Sequence, residues 1–564
     1  MEIKITNPTD IQNISSPIPE SALILGEGQY YDMDCYKTKR NNNVLVVGAA
    51  GAGKTRTIVI PNLLQATGSY IVCDPKGSLY KQYNGYLRCK GYQTKLLNFD
   101  NPEKSIKYNF FRYIHSEMDI TKIAHMIVYS SSDTRQMSDP FWDRSAQELL
   151  VCMIAYLWEF RPKCEQNLNS VLKLLEAMEL SEFREVSSPF DRIMEEVRKR
   201  NPTCLAYRSY SHYMAGAIRT KQSIQITLSS IIGRYCTDSI INMLSDDETD
   251  IGMIGKRKTA FFVQVSDTDR SMDDLANLFF TQAMNELCRV ADNSIGYRLP
   301  YDVRFILDDF ATNCRIDDFP RMISSIRSRG INTTIIVQSE AQLTQGYGHD
   351  GQTIIANCDS YVYLGCNDLS TAESVAKKAN LPIYKILYMP VESAWIFRRG
   401  ELPINCRQFA LDKHLENWGT NLFGVLFPYI NEEASEDDDS MIVNSPEDLE
   451  ALLEKSRHTG PINTDELLAA MGEWCDEQAE QGIECNYEIE CRCLDGTQIM
   501  TLTRYNKPFL QIALNNANEV LYLNAGKGID LAGELNSILK NHQELINDLL
   551  DSIDSGSEPP KHHA

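Results

Sequence analysis

Residues 48–55 read Gly48-Ala49-Ala50-Gly51-Ala52-Gly53-Lys54-Thr55, a full match to the spacing G-x-x-x-x-G-K-[ST]. The preceding run, Val44-Leu45-Val46-Val47, reads as a buried strand, and Arg56-Thr57-Ile58-Val59-Ile60 reads as the start of a helix. At such a strand-to-helix turn, successive backbone N–H groups and the helix N-terminus converge on one point, where an anion binds. The backbone must curl around that anion, and Gly48, Gly51 and Gly53 lack the Cβ that would resist it. Lys54 is placed to reach the β- and γ-phosphates of a nucleoside triphosphate, and the Thr55 hydroxyl to ligate magnesium. Ala49, Ala52 and Arg56 belong to the same binding segment. A ligand-free Gly-rich turn is the bland alternative, and it leaves the flanking strand and helix patterns unexplained.

A phosphate loop needs an acid at the tip of a neighbouring strand to hold the metal. Arg304-Phe305-Ile306-Leu307-Asp308-Asp309 is an apolar run ending in two carboxylates. Asp308, at the tip, suits magnesium; Asp309 is placed to polarise the attacking water. Two arginines, Arg327 and Arg329, follow at a helix end. In ring ATPases an adjacent subunit donates an arginine to the γ-phosphate, where transition-state charge spreads. Solvated surface arginines are the competing reading. Gln338 ends the next strand and is a candidate γ-phosphate sensor or a plain strand-end glutamine.

Patterning outward from the loop gives an α/β fold. Buried-strand runs at 69–73 and 94–99 follow with a helical stretch between, the β-α-β order of a parallel sheet with right-handed crossovers. From 120 to 255 the spacing turns helical, with Ala146, Leu149, Leu150, Met153, Ile154, Leu157 and Trp158 on one face. Strand runs resume at 259–265, 303–307, 333–337, 360–364 and 394–397. The expected domains are a nucleotide-binding fold split into 1–118 and 256–425, an all-α insertion at 119–255, an acidic linker at 426–445 and a C-terminal module at 446–564. In that module helices are expected at 445–457 and 464–481, then strands at 487–494, 497–504 and 509–514.

Composition narrows the class. With 564 residues, 43% hydrophobic, the chain is long enough for several cores. No apolar stretch approaches the ~20 residues that span a bilayer, and residues 1–43 read as polar, without the hydrophobic segment of a signal peptide. Sixteen scattered cysteines fit buried thiols in a reducing cytoplasm. The net charge of −22 is lopsided: residues 431–564 hold 28 acids against 8 bases, the remainder 49 against 47. The tail repels a phosphate backbone, whereas the nearly neutral remainder allows one. Arg219, Lys221 and Arg234 of the insertion are candidate nucleic-acid contacts, with solvated helix faces as the competing reading.

Several further stretches fall in a telling order. They are Arg40-Asn41-Asn42-Asn43 ahead of the first strand, Pro61-Asn62-Leu63-Leu64-Gln65, Asp74-Pro75-Lys76-Gly77, Tyr108-Asn109-Phe110-Phe111, Asp139-Pro140-Phe141-Trp142, Asp308-Asp309-Phe310-Ala311, Val337-Gln338-Ser339-Glu340-Ala341-Gln342-Leu343 and Asn357-Cys358-Asp359. Together they resemble the coupling proteins of type IV secretion in the TraG-type conjugation family, in particular copies on mobile elements of Gram-positive bacteria. The resemblance covers residues 25–420. It implies a RecA-like P-loop NTPase domain with an inserted all-α domain, beside a small acidic α+β module. It further implies an ATP- and Mg2+-dependent hexamer that takes a relaxase–single-stranded DNA substrate to a type IV secretion channel.

By position, the resemblance makes Lys54 and Thr55 the loop residues, Asp308 the magnesium residue, Asp309 the catalytic carboxylate, Arg327 the trans-acting arginine and Gln338 the strand-end glutamine. Three departures stand out. The family usually has Glu where Asp309 stands and an acid where Ser78 stands. Most members also carry transmembrane helices before the loop, so here a separate membrane protein supplies the anchor or the chain is a truncated form. The expected location is the cytoplasmic side, peripheral to the inner face of the cell membrane. Two rival readings are a double-stranded DNA translocase of the FtsK/HerA kind, and a nucleotide-gated substrate-docking adaptor with little hydrolysis.

Overall fold

The computed structural model describes residues 18–19, 21–129, 140–178, 188–266, 268–310 and 314–414, with four strands between 487 and 525. The chain divides into two compact units, Met1–Thr420 and Asn421–Ala564. The first unit opens with an antiparallel hairpin of β1 (Ala22–Gly26) and β2 (Gln29–Asp32). A nine-stranded sheet follows, made of β3 (Val44–Val47), β4 (Ser69–Cys73), β5 (Gln93–Asn98), β6 (Thr259–Gln264), β7 (Val303–Leu307), β8 (Ile331–Val337), β9 (Ser360–Tyr363), β10 (Ser393–Arg398) and β11 (Ile404–Arg407). Their order is β11-β10-β9-β3-β8-β7-β4-β6-β5. The seven strands from β9 to β5 run parallel, and β10 and β11 add an antiparallel edge.

Strand burial follows from this layering. A parallel sheet covered on both faces needs apolar side chains at every position. Accordingly, every residue of β3, β4, β7 and β8 is buried. The polar run ahead of β3 closes the lower end of the sheet. Asn41 N–H donates to Asp359 Oδ2 at 2.6 Å, and Asn41 Oδ1 accepts the Asp359 N–H at 3.1 Å. Asn43 Oδ1 accepts the Thr333 N–H at 3.0 Å, and Arg304 donates to the Asn42 carbonyl at 3.1 Å. These bonds tie β9, β3, β8 and β7 at the end remote from the phosphate loop, so the loop springs from a fixed base.

Between β5 and β6, the described residues form helices and no strand. Pro140–Phe160 is the central one, packed against Glu117–Tyr129, Leu205–Met214 and Ile218–Ile232. Ala146, Leu149, Leu150, Met153, Ile154 and Leu157 are buried as the helical spacing requires, while Trp158 is half-buried. Within the polar-leaning first 43 residues, Ala22, Leu23, Ile24 and Leu25 of β1 are buried. One expectation needs correction. Arg234 is not free for a phosphate backbone, because its guanidinium pairs with the buried Asp274 carboxylate and lies over the Tyr235 ring.

In the second unit, β12 (Tyr487–Leu494), β13 (Thr497–Arg504), β14 (Lys507–Leu514) and β15 (Val520–Ala525) form an antiparallel sheet in sequence order. The first two strands match the expected bounds, β14 starts two residues early, and β15 is additional. The acidic linker at 426–445, the expected helices at 445–457 and 464–481, Asp139 and Ala311 lie outside the described residues.

Candidate nucleotide-binding site

The phosphate loop sits at the C-terminal end of β3, between β8 and β9, where successive crossovers leave the sheet on different sides. It is bolted to both neighbours. Gly48 N–H donates to the Val337 carbonyl at 3.2 Å, and Ala49 N–H to the Gly365 carbonyl at 2.8 Å. Gly51 and Gly53 have φ of +77° and +83°, so a Cβ at either would strain the curl. The helix leaving the loop starts with a π-turn over Thr55–Val59 and continues as α over Ile60–Leu64. Pro61 lacks the N–H a regular helix would bond to Thr57, and the Ile60 N–H reaches back to the Thr55 carbonyl instead.

Lys54 is 9% exposed and folds back on its own loop, donating to the Gly48 carbonyl at 3.0 Å and the Ala49 carbonyl at 3.1 Å. Its ammonium therefore rests inside the cradle of N–H groups, where phosphate oxygens would compete for it. The Thr55 hydroxyl donates to Asp308 Oδ2 at 2.8 Å, joining residues 253 positions apart. Asp308 is 7% exposed; burial raises its pKa, against the Thr55 hydrogen bond and the Lys54 charge. A hydroxyl and a carboxylate held in contact in a dry pocket are hard oxygen donors of the kind magnesium takes.

Asp309 and Gln338 complete the cluster: Gln338 Nε2 stands 3.5 Å from Asp309 Oδ1. Asp309 takes a φ of +50°, while its neighbour Phe310 donates its N–H to the Ile336 carbonyl at 2.9 Å. The turn aims the second carboxylate across the tip of β8 toward Gln338. Gly48, Ala49, Ala52, Gly53, Lys54, Thr55, Asp308, Asp309 and Gln338 thus surround one end of β3, β8 and β7. The Arg56 side chain points to solvent beside this group.

Arg327 stands elsewhere. It lies ahead of β8, at the opposite end of that strand from Gln338, and donates to the Cys35 carbonyl at 2.6 Å. Arg329, alongside, pairs with Asp292 at 2.7 Å.

One acid went without a role in the sequence reading. Cys73 of β4 aligns with Leu307 of β7, so Asp74 and Asp308 follow in step. Asp74 accepts the Tyr80 N–H at 3.0 Å at the start of helix Ser78–Cys89. Burial, with the nearby Asp308 charge adding, pushes its carboxyl up to about 6. The signal was the strand-end position of Asp74, which gains meaning only once β4 is known to lie beside β7.

A family model for type IV secretory system conjugative DNA transfer matches residues 6–379. The chain is 22% identical over 355 residues to a probable conjugal transfer protein TraG of Sinorhizobium fredii, covering 61% of this chain and 53% of that protein. It is also 22% identical over 347 residues to the conjugal transfer protein TraG of Rhizobium radiobacter, covering 59% and 51%. The chain thus spans about half the length of the curated relatives it matches. Among solved structures, the coupling protein TrwB lacking its first residues (the deltaN70 form), in complex with sulphate, superposes with a TM-score of 0.53 at 15% identity, over 72% of this chain and 92% of that one. TrwB with a non-hydrolysable ATP analogue gives 0.51 at 15% identity, over 72% and 92%. TrwB with ADP and Mg2+ gives 0.51 at 15%, over 72% and 93%. The fold is that P-loop NTPase fold. The chain belongs to the type IV secretory conjugative DNA-transfer family.

Proposed function

We propose that this member of the conjugative DNA-transfer family is an ATP-driven coupling protein, which recruits a relaxase–single-stranded DNA substrate and hands it to a type IV secretion channel. The observation that carries the reading is the 2.8 Å contact between Thr55 and Asp308, which makes one site of the loop and the strand-tip acid. ATP is the substrate that fits, and TrwB, of the same fold, is described in complex with an ATP analogue and with ADP and Mg2+.

The chemistry is positioning and charge stabilisation. Backbone N–H groups from Gly48 to Thr55 hold the phosphates, and Lys54 exchanges its two loop carbonyls for phosphate oxygens. Magnesium at Thr55 and Asp308 would neutralise charge growing on the β–γ bridging and γ oxygens. Asp309 accepts the proton of the attacking water, and Gln338 orients that water from the other side. Arg327 lies at the far end of β8 from its own loop. It therefore suits a neighbouring copy's γ-phosphate, in keeping with a working ring of six. Among the described residues no helix is long and apolar enough to cross a membrane. Work at the inner face of the cell membrane, through an anchor protein in trans, accords with this.

Steady-state ATP hydrolysis tests the reading, comparing the wild type with Lys54→Ala, without DNA, with single strands and with duplex. Turnover should be stimulated most by single strands and fall about 10²-fold or more in the variant. Turnover indifferent to Lys54 discards the site; stimulation by duplex alone replaces the coupling role with duplex pumping.

A further inference from the structure

The phosphate loop has a second wall that none of the site residues above uses. Strand β10 begins and strand β11 ends beside the loop, because β10 runs antiparallel to β9 and β11 turns back antiparallel to β10. Gln408, directly after β11, lays its carboxamide over the loop: a Cβ built on Gly53 would stand 3.1 Å from Gln408 Oε1. The residue is fixed by its backbone, whose N–H donates to the Glu392 carbonyl at 2.7 Å.

The carboxamide has a defined orientation. Gln408 Nε2 donates to the Ser393 carbonyl at 3.3 Å. A carbonyl oxygen can only accept, so this contact turns the amide nitrogen away and leaves Oε1 toward the loop. That oxygen is a pure acceptor that meets no donor among the described residues, at the edge of the candidate phosphate site. Next to it the chain exposes Tyr388 and Val391, 82% and 94% accessible, at the turn into Glu392, which has a φ of +68°. The turn is anchored to the loop as well: Met389 lies against Gly365, whose carbonyl holds the Ala49 N–H. Two exposed apolar side chains and an oriented acceptor thus stand on segments that are tied to the β9 flank of the loop.

We propose that this corner is the base subsite, and that Gln408 Oε1 selects adenine by accepting a hydrogen bond from its exocyclic amine. Guanine presents a carbonyl oxygen at the same ring position, which meets Oε1 acceptor to acceptor. Tyr388 and Val391 cover the faces of the ring. The inference rests on the nucleotide reading of the loop and adds to it which base is bound and by which residue.

The test is equilibrium binding of fluorescent ATP, competed by ATP, 2′-deoxy-ATP, GTP and inorganic tripolyphosphate. It is run on the full chain and on Gln408→Ala, Tyr388→Ala with Val391→Ala, and Lys54→Ala. Gln408→Ala should weaken ATP and 2′-deoxy-ATP about three- to tenfold, the size of one net hydrogen bond, and leave GTP and tripolyphosphate unchanged. The Tyr388/Val391 double variant should weaken both purines and spare tripolyphosphate. Equal loss of ATP and GTP in Gln408→Ala would place the contact on the ribose and overturn the base assignment, as would no loss at all. Lys54→Ala separates the two levels: it must weaken tripolyphosphate, and if it does not, the nucleotide reading fails first.

Discussion

In the proposed mechanism Asp309 carries two burdens at once, a carboxylate for the water and a backbone at φ +50°. Left-handed backbone costs most residues about 1–2 kcal/mol, and Asp and Asn are among the few that tolerate it. The shorter acid in place of the family's usual Glu therefore suits this turn. Asp309→Asn should keep the melting temperature within about 2 °C and lose hydrolysis by about 10²-fold or more. Asp309→Glu should cost up to about 1 kcal/mol of stability. Thermal unfolding beside turnover separates the two effects; a large stability loss in the Asn variant would refute the account. Asp74, one strand away, sets a pH dependence. Its folded pKa of about 6 lies above its ordinary 3.8. The native state thus holds its proton more tightly than the unfolded chain, and stability falls as pH rises from about 4 through 6. Above about pH 7 the penalty is fully developed, at most about 3 kcal/mol. In magnesium- and nucleotide-free protein, Asp74→Asn can still accept the Tyr80 N–H but has no charge to bury. Its melting temperature should therefore exceed the wild type by a margin that widens from pH 5.5 to 7.5. A constant margin would show that the carboxyl does not titrate there.

The helix behind the loop is held by one side chain more than by its own turns. Pro61 prevents a regular first turn, and Asn62 compensates: its Oδ1 accepts the Ile24 N–H at 2.9 Å, and its Nδ2 donates to the Ile24 and Ile58 carbonyls at 2.8 and 2.7 Å. The hairpin strand β1 is thereby fastened to the helix that carries Thr55. Asn62→Ala strands buried groups of β1 and should cost about 2–4 kcal/mol, seen as a lower denaturant midpoint; a loss under 1 kcal/mol would mean that β1 is held by apolar packing alone. This element also shows what sequence reading reaches. Strands β3, β4 and β7 were legible to the residue, because a strand buried on both faces is a continuous apolar run. β1 was passed over because four apolar residues sit within a polar segment, and its burial depends on Asn62, 38 positions away. Edge strand β11, Ile-Asn-Cys-Arg, is half polar and has no clear period. In the site, Lys54, Thr55 and Asp308 were legible because local motifs announce them. Asp74 and Gln408 were not, because their place depends on β4 lying beside β7 and on β11 running back toward the loop.

At the scale of the whole chain, the charge follows the division into units. The first unit ends at Thr420, and nearly all the net charge falls in the unit that follows, whose residues from 431 on carry 28 acids against 8 bases. A polyanion meeting the full chain encounters both, and the field of the second unit acts over the Debye length, about 30 Å at 0.01 M salt and 8 Å at 0.15 M. Removing residues 421–564 should leave the first unit folded, since its sheet and the covering helices lie wholly within it. Lys54-dependent hydrolysis should persist. Affinity for single-stranded DNA at about 0.05 M salt should rise by several-fold, and the gain should vanish near 0.3 M, where unpaired surface charges are screened. Fluorescence anisotropy of a labelled oligonucleotide across a salt series reads this directly. If the shortened chain instead binds DNA more weakly at every salt concentration, the acidic unit contributes contacts rather than repulsion.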